Sequence, residues 1–169
     1  MISFNNEDIT FTLKNKTKLK NWIVSTIEKK KKIVGDISFT FCSDAFLLEM
    51  NKAYLNHDTY TDIITFDYSK EDERFSLLDS ARSDKLEVTA QRSKSKTTKT
   101  STPISGDIFI SIDRVRENAT KLSLSFEEEL HRVIIHGVLH LLGYKDKSKI
   151  AKAEMRKQED LCLKALAKY

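Results

Sequence analysis

Cysteine is nearly absent from this chain: the 169 residues include two, Cys42 and Cys162. They lie far apart, follow no metal-type spacing and sit among apolar neighbours, which excludes a disulfide framework and describes reduced core thiols. No apolar run approaches the length of a membrane span. The opening stretch MISFNNEDITF carries neither a basic leader nor an apolar run ahead of a small-residue cleavage site. These absences lead us to expect a soluble cytoplasmic protein. Proline occurs once, at Pro103, and two of the four glycines fall within one short segment, HGVLHLLGYKD, from His136 to Asp146.

What is present suits a core. With 40% apolar and 32% charged residues, the chain reads as one compact domain spanning 1–169, without a second catalytic domain. The net charge is +4, from 29 Lys and Arg against 25 Asp and Glu. Much of the excess sits in two clusters, Glu28 to Lys32 (EKKKK) and Gln91 to Thr100 (QRSKSKTTKT). Such clusters can meet phosphates, although most are simply solvated surface.

Periodicity alternates along the chain. Leu19, Trp22, Ile23, Thr26 and Ile27 recur at helical spacing and end in the lysine run. Ile37, Phe39 and Phe41 alternate with polar residues as a half-buried strand, and Asp44 is expected to cap a helix carrying Leu47, Met50 and Tyr54 on one side. TDIITFDY (Thr61 to Tyr68) and GDIFISID (Gly106 to Asp113) read as strands, and three helices should close the chain. The last of them covers roughly Ser148 to Lys168, with Met155, Cys162 and Leu166 facing inward. The pattern predicts a small α/β (α+β) fold with a mixed sheet packed by helices. The polar segment at about 69–103, which becomes nearly all Arg, Ser, Lys and Thr, is expected to be a flexible basic loop, either an RNA-contacting arm or a tolerated insertion.

The segment SLSFEEELHRVIIHGVLHLLG has a clear start and stop. Ser125 and Glu128 form a capping-box pattern, and Gly143 can take the left-handed conformation that ends a helix. Apolar residues cover nearly the whole circumference between them, so this helix should be buried. At about 100° per residue, Glu129, Arg132, His136 and His140 fall within about one third of a turn of one another, while His131 points elsewhere and reads as a surface residue. His136 and His140 are four apart, close enough to give one cation a nitrogen each. Gly143 then lets the chain turn so that Asp146 can return to the same ion. The spacing matches that of metzincin ligands, His136, His140, Gly143 and Asp146 standing where those sites place histidine, histidine, glycine and the third ligand. A lone HxxxH pair fits two core histidines satisfied by backbone groups. The glycine and the third ligand in register turn the reading toward a divalent metal, most naturally zinc, with a position left for water. Peptidase chemistry is weakened, because the position of the zincin general base is Gly137.

HGVLHLLGYKD, with GDIFIS and TDIITF upstream and the Glu154-Met155 and Glu159-Asp160 pairs in the final helix, resembles the YbeY family of rRNA maturation endoribonucleases. The blocks share the family's order and extend from about Asn51 almost to the C-terminus. The resemblance implies a single-domain, metal-dependent hydrolase acting on phosphodiester bonds in small-subunit rRNA maturation and ribosome quality control. Its partners would be rRNA and the small ribosomal subunit or its proteins, with neither membrane nor DNA. Three site positions depart from the family pattern. Lys145 and Asp146 replace its usual aspartate and third histidine, and Leu55 stands where an arginine is common. Arg132 and Lys145 would then supply positive charge to substrate, while Asp62 and Thr65 are expected, by resemblance, to contact it from the opposite wall. No catalytic residue is assigned. The rival readings are a non-catalytic ribosome- or RNA-binding module with a structural metal, and a zinc peptidase-like hydrolase.

Overall fold

The computed structural model describes residues 1–69 and 103–169; the basic segment expected to be a flexible loop falls outside the described residues, apart from its two ends. Four strands form one mixed sheet: β1 (Ile2–Asn6), β2 (Val34–Cys42), β3 (Ile63–Asp67) and β4 (Ile104–Ser111), in the order β1-β2-β4-β3. β1 and β4 run parallel to β2, and β3 runs antiparallel to β4, with Thr65 opposite Ile108. The helices are α1 (Lys16–Lys29), α2 (Asp44–Leu55), α3 (Ile112–Leu122), α4 (Phe126–Leu141) and α5 (Lys149–Leu166). None among the described residues is long and apolar enough to cross a membrane.

Strand alternation divides the apolar residues between two faces. Ile37, Phe39, Phe41, Ile108 and Ile110 join Trp22 of α1 and Ile134 and Val138 of α4 in the main core, whereas Cys42, Leu47 and Ile64 form a smaller cluster under α2. Trp22 is fully buried and donates its indole N–H to the Cys162 carbonyl at 2.8 Å, which ties α1 to α5. The α5 stripe is Met155, Glu159, Cys162 and Leu166. Three of the four are apolar, so the carboxylate of Glu159 is the exception that needs a partner.

Several local expectations shift. Ser43, not Asp44, caps α2, accepting from the Phe46 amide at 3.1 Å; Asp44 instead pairs with Arg114 at 2.9 Å. Tyr54 does not pack inward: it is 67% exposed, with its ring edge against Phe66. β4 stops at Ser111 because the Ser111 hydroxyl accepts from the Arg114 amide and starts α3, so Ile112 and Asp113 are helical. His131 is half-buried, its ring edge-on to Trp22 with centroids 6.3 Å apart, and burial holds its pKa below the usual value.

Candidate metal centre

The site is built on α4 and the turn that ends it. The capping box is complete, with the Ser125 hydroxyl accepting from the Glu128 amide and the Glu128 carboxylate accepting from the Ser125 amide at 2.8 Å. At the other end the Tyr144 amide donates to the Leu139 carbonyl at 3.0 Å and the Gly143 amide to the His140 carbonyl at 2.9 Å. This paired pattern is a Schellman motif, and it needs a left-handed residue, which Gly143 supplies at φ +92°. The reversal carries Asp146 back over the histidines.

His136 Nε2 and His140 Nε2 lie 2.9 Å apart, and Asp146 Oδ2 lies 3.7 Å from each. These three residues are the one group of three or more potential ligands found among the described residues. Each imidazole is held from behind. His136 Nδ1 meets Glu159 Oε1 at 2.8 Å, and His140 Nδ1 meets the Tyr144 carbonyl at 3.0 Å. Both rear partners are acceptors, so both Nδ1 atoms carry hydrogen and both Nε2 lone pairs turn toward the shared space. Two lone pairs cannot face each other at this distance with nothing positive between them. The choices are a metal ion or a proton. Two Zn–N bonds of about 2.0–2.1 Å at a tetrahedral angle span roughly 3.3 Å, close to the separation seen, and nitrogen with carboxylate oxygen is a fitting zinc donor set.

The electrostatics agree. Burial alone would lower the His136 pKa, but the hydrogen bond and charge of Glu159, with Asp62 and Asp146, outweigh it and raise it. Burial and the neighbouring His136 lower that of His140. Glu159 is buried, yet its bonds from His136 and Arg132 hold it below the usual carboxylate range. Arg132 bonds Glu159 at 3.0 Å and Asp160 at 2.8 Å, so its charge is spent on these carboxylates.

Two hollows flank the donor group and share Asp62, Ile63, His136 and Asp146: one of about 280 Å³ toward Glu129 and Arg132, and one of about 510 Å³ toward Thr65 and Lys145. Burial raises the Asp62 pKa, and its carboxylate accepts from the Asn118 amide at 3.2 Å. Thr65 Oγ1 and Glu129 Oε2 are buried without a hydrogen-bond partner among the described residues. Burial first, then the charge of Asp62, raises the Glu129 pKa. Glu129 shares the helical face but is not part of the donor group, which takes Asp146 instead.

The family described as Endoribonuclease YbeY matches residues 1–167. The chain belongs to the YbeY endoribonuclease family. The Endoribonuclease YbeY of Flavobacterium psychrophilum is 46% identical over 164 residues, covering 97% of this chain and 95% of that protein. That of Flavobacterium johnsoniae is 41% identical over 160 residues, covering 95% and 93%. A Thermotoga maritima protein determined in solution shares the fold, with a TM-score of 0.51 over 98% of this chain and 89% of that one at 23% identity.

Within the YbeY frame, the structure brings His136, His140 and Asp146 together, places Asp62 and Thr65 among the residues lining the larger hollow beside them and leaves Lys145 exposed there. Leu55 is the last residue of α2. Glu159, behind His136, is a site residue that the helical spacing of the ligands does not reveal. Its signal was a lone charge on an otherwise apolar helical stripe.

Proposed function

We propose that this YbeY-family chain is a cytoplasmic endoribonuclease that uses one divalent metal, zinc, to hydrolyse phosphodiester bonds of small-subunit rRNA during maturation and ribosome quality control. The observation that carries the reading is the convergence of two imidazole Nε2 atoms 2.9 Å apart with Asp146 Oδ2, each imidazole oriented from its Nδ1 side. A divalent ion held there supplies Lewis-acid polarisation of a phosphate oxygen and acidifies water. His136, His140 and Asp146 hold the ion. Glu159 and the Tyr144 carbonyl fix the imidazoles, and Arg132 anchors Glu159. Lys145, an exposed ammonium beside Asp146, neutralises charge developing on the phosphate, while Asp62 and Thr65 line the facing wall.

Peptidase chemistry lacks its base for a packing reason. A Cβ on Gly137 would lie 2.9 Å from Ile108 and from Ile63, so this position faces the sheet and has no room for a glutamate. The test is elemental analysis of protein purified without added metal, joined to cleavage of a small-subunit rRNA fragment. We expect about one zinc per chain and products that vanish in His140→Ala. Metal-free wild type, or undiminished cleavage by His140→Ala, refutes the proposal; bound metal with no cleavage by wild type points to a non-catalytic module.

A further inference from the structure

The lysine run that ends α1 is remote from the metal ligands in sequence, yet the fold sets it against their turn. Lys30 Nζ donates to the Tyr144 hydroxyl at 2.9 Å and to Gln158 Oε1 at 2.7 Å, and it lies 5.2 Å from the Tyr144 ring centroid. Lys30 and Lys32 line a shallow hollow of about 270 Å³ with Leu142, Gly143 and Tyr144. Gly143 and Tyr144 also line the larger metal-flanking cleft, whose rim carries Lys145 and Lys147. The two hollows are therefore neighbours across one glycine turn.

The cations around the metal group are unequal. On the side of the smaller hollow, Arg132 is paired with Glu159 and Asp160, and Arg156 Nη1 lies 3.5 Å from Glu159. On the other side Lys32, Lys145 and Lys147 are exposed and have no ion-pair partner among the described residues. A polyanion releases its own condensed counterions when unpaired protein cations neutralise its phosphates, and gains little from cations whose charge a buried carboxylate already balances. We propose that a single-stranded RNA backbone leaves the metal cleft across the Gly143–Tyr144 turn and runs along Lys30 and Lys32, so that the end of α1 is an exit track for substrate. The glycine suits the crossing, since no side chain rises there to block the strand. This inference rests on the endoribonuclease reading.

The test is the salt dependence of binding of metal-loaded protein to a labelled, 2′-O-methylated twelve-nucleotide oligouridylate. Each phosphate contact on a single strand contributes about 0.7 to the slope of log K against log salt. Lys30→Gln/Lys32→Ala should flatten the slope by roughly 1.4, and Lys32→Ala alone, which leaves the Tyr144 contact intact, by about 0.7. Lys16→Ala/Lys18→Ala, at the start of α1 and about 20 Å away by helical rise, should change nothing. A wild-type slope in the run variants, or an equal loss in the Lys16/Lys18 variant, overturns the track. If the unaltered protein shows no salt-dependent RNA binding, the endoribonuclease reading falls and the track falls with it.

Discussion

Glu159→Gln isolates the carboxylate behind His136. Glu159 is 5% exposed, accepts from His136 Nδ1 at 2.8 Å and from Arg132 at 3.0 Å, and lies on the packed stripe of α5. Glutamine keeps the volume and one acceptor oxygen but removes the charge that raises the basicity of the imidazole. Charge-assisted hydrogen bonds are roughly twice as strong as neutral ones, and loss of such a partner behind a metal-binding histidine typically costs ten- to hundredfold in affinity. That is about 1.4–2.8 kcal/mol of binding free energy. Arg132 keeps Asp160, so the fold should lose only about 1–2 kcal/mol, a fall of roughly 2–8 °C in melting temperature. Glu159→Ala should lose more, about 2–5 kcal/mol, because it leaves a cavity in the packed stripe and His136 Nδ1 without its acceptor, although Arg132 keeps Asp160. The pH dependence has a definite sign. The lowered Glu159 pKa gives stability that is fully present above its unfolded pKa, about 4.3, and is lost as pH falls through the folded value. The raised His136 pKa gives the metal-free protein stability that is fully present below about pH 6.5 and is lost as pH rises through the folded value. The metal must displace that proton, so affinity should climb across the same interval, and Glu159→Gln should move the climb to lower pH. Competition with a chromophoric chelator measures both. Unchanged affinity together with an unmoved pH profile would show that Glu159 merely fills space.

Asp146→Ala should lower metal occupancy without a large loss of stability, since the residue is only half-buried, whereas Asp146→His should retain the ion; elemental analysis of Asp146→Ala showing full metal, with loss in Glu129→Ala, would refute the donor set. Gly143→Ala should cost about 1–2 kcal/mol from its left-handed backbone alone, because a Cβ there meets nothing within 4 Å, and Gly143→Val more, with weaker metal binding in both. Normal metal affinity in a folded Gly143→Val protein would break the link between turn and site. Cys42, fully buried with its pKa pushed up to about 12, should resist alkylation at pH 8 until the protein is denatured, and labelling of the native protein at the denatured rate would contradict its placement.

The donor set was legible because it is local. His136, His140, Gly143 and Asp146 lie on one helix and its exit, where 100° per residue and a single glycine carry most of the geometry. The groups that orient them were not. Glu159 sits 23 positions beyond His136, and only the packing of α5 on α4 places it. His131 was misread because the helical wheel excludes it from the polar line but cannot show that Trp22 comes to meet it. The strand ends erred for a similar reason: Ser111 reads equally well as the last residue of an apolar strand and as the cap of α3, and its hydroxyl chooses the second. Alternation and β-branched composition located the cores of β2, β3 and β4 but not the short β1, while side-chain hydrogen bonds set the borders.

The turn that ends α4 gives the protein a built-in reporter. The Tyr144 carbonyl that orients His140 belongs to the residue whose amide closes the helix on Leu139. Unwinding the last turn would free the imidazole, and an ion bound to that imidazole would resist unwinding. Ion release and fraying are thus one event on a common coordinate. Exchange of the Gly143 and Tyr144 amides with deuterium should slow in proportion to bound metal, so the loading state can be read from the backbone without observing the ion.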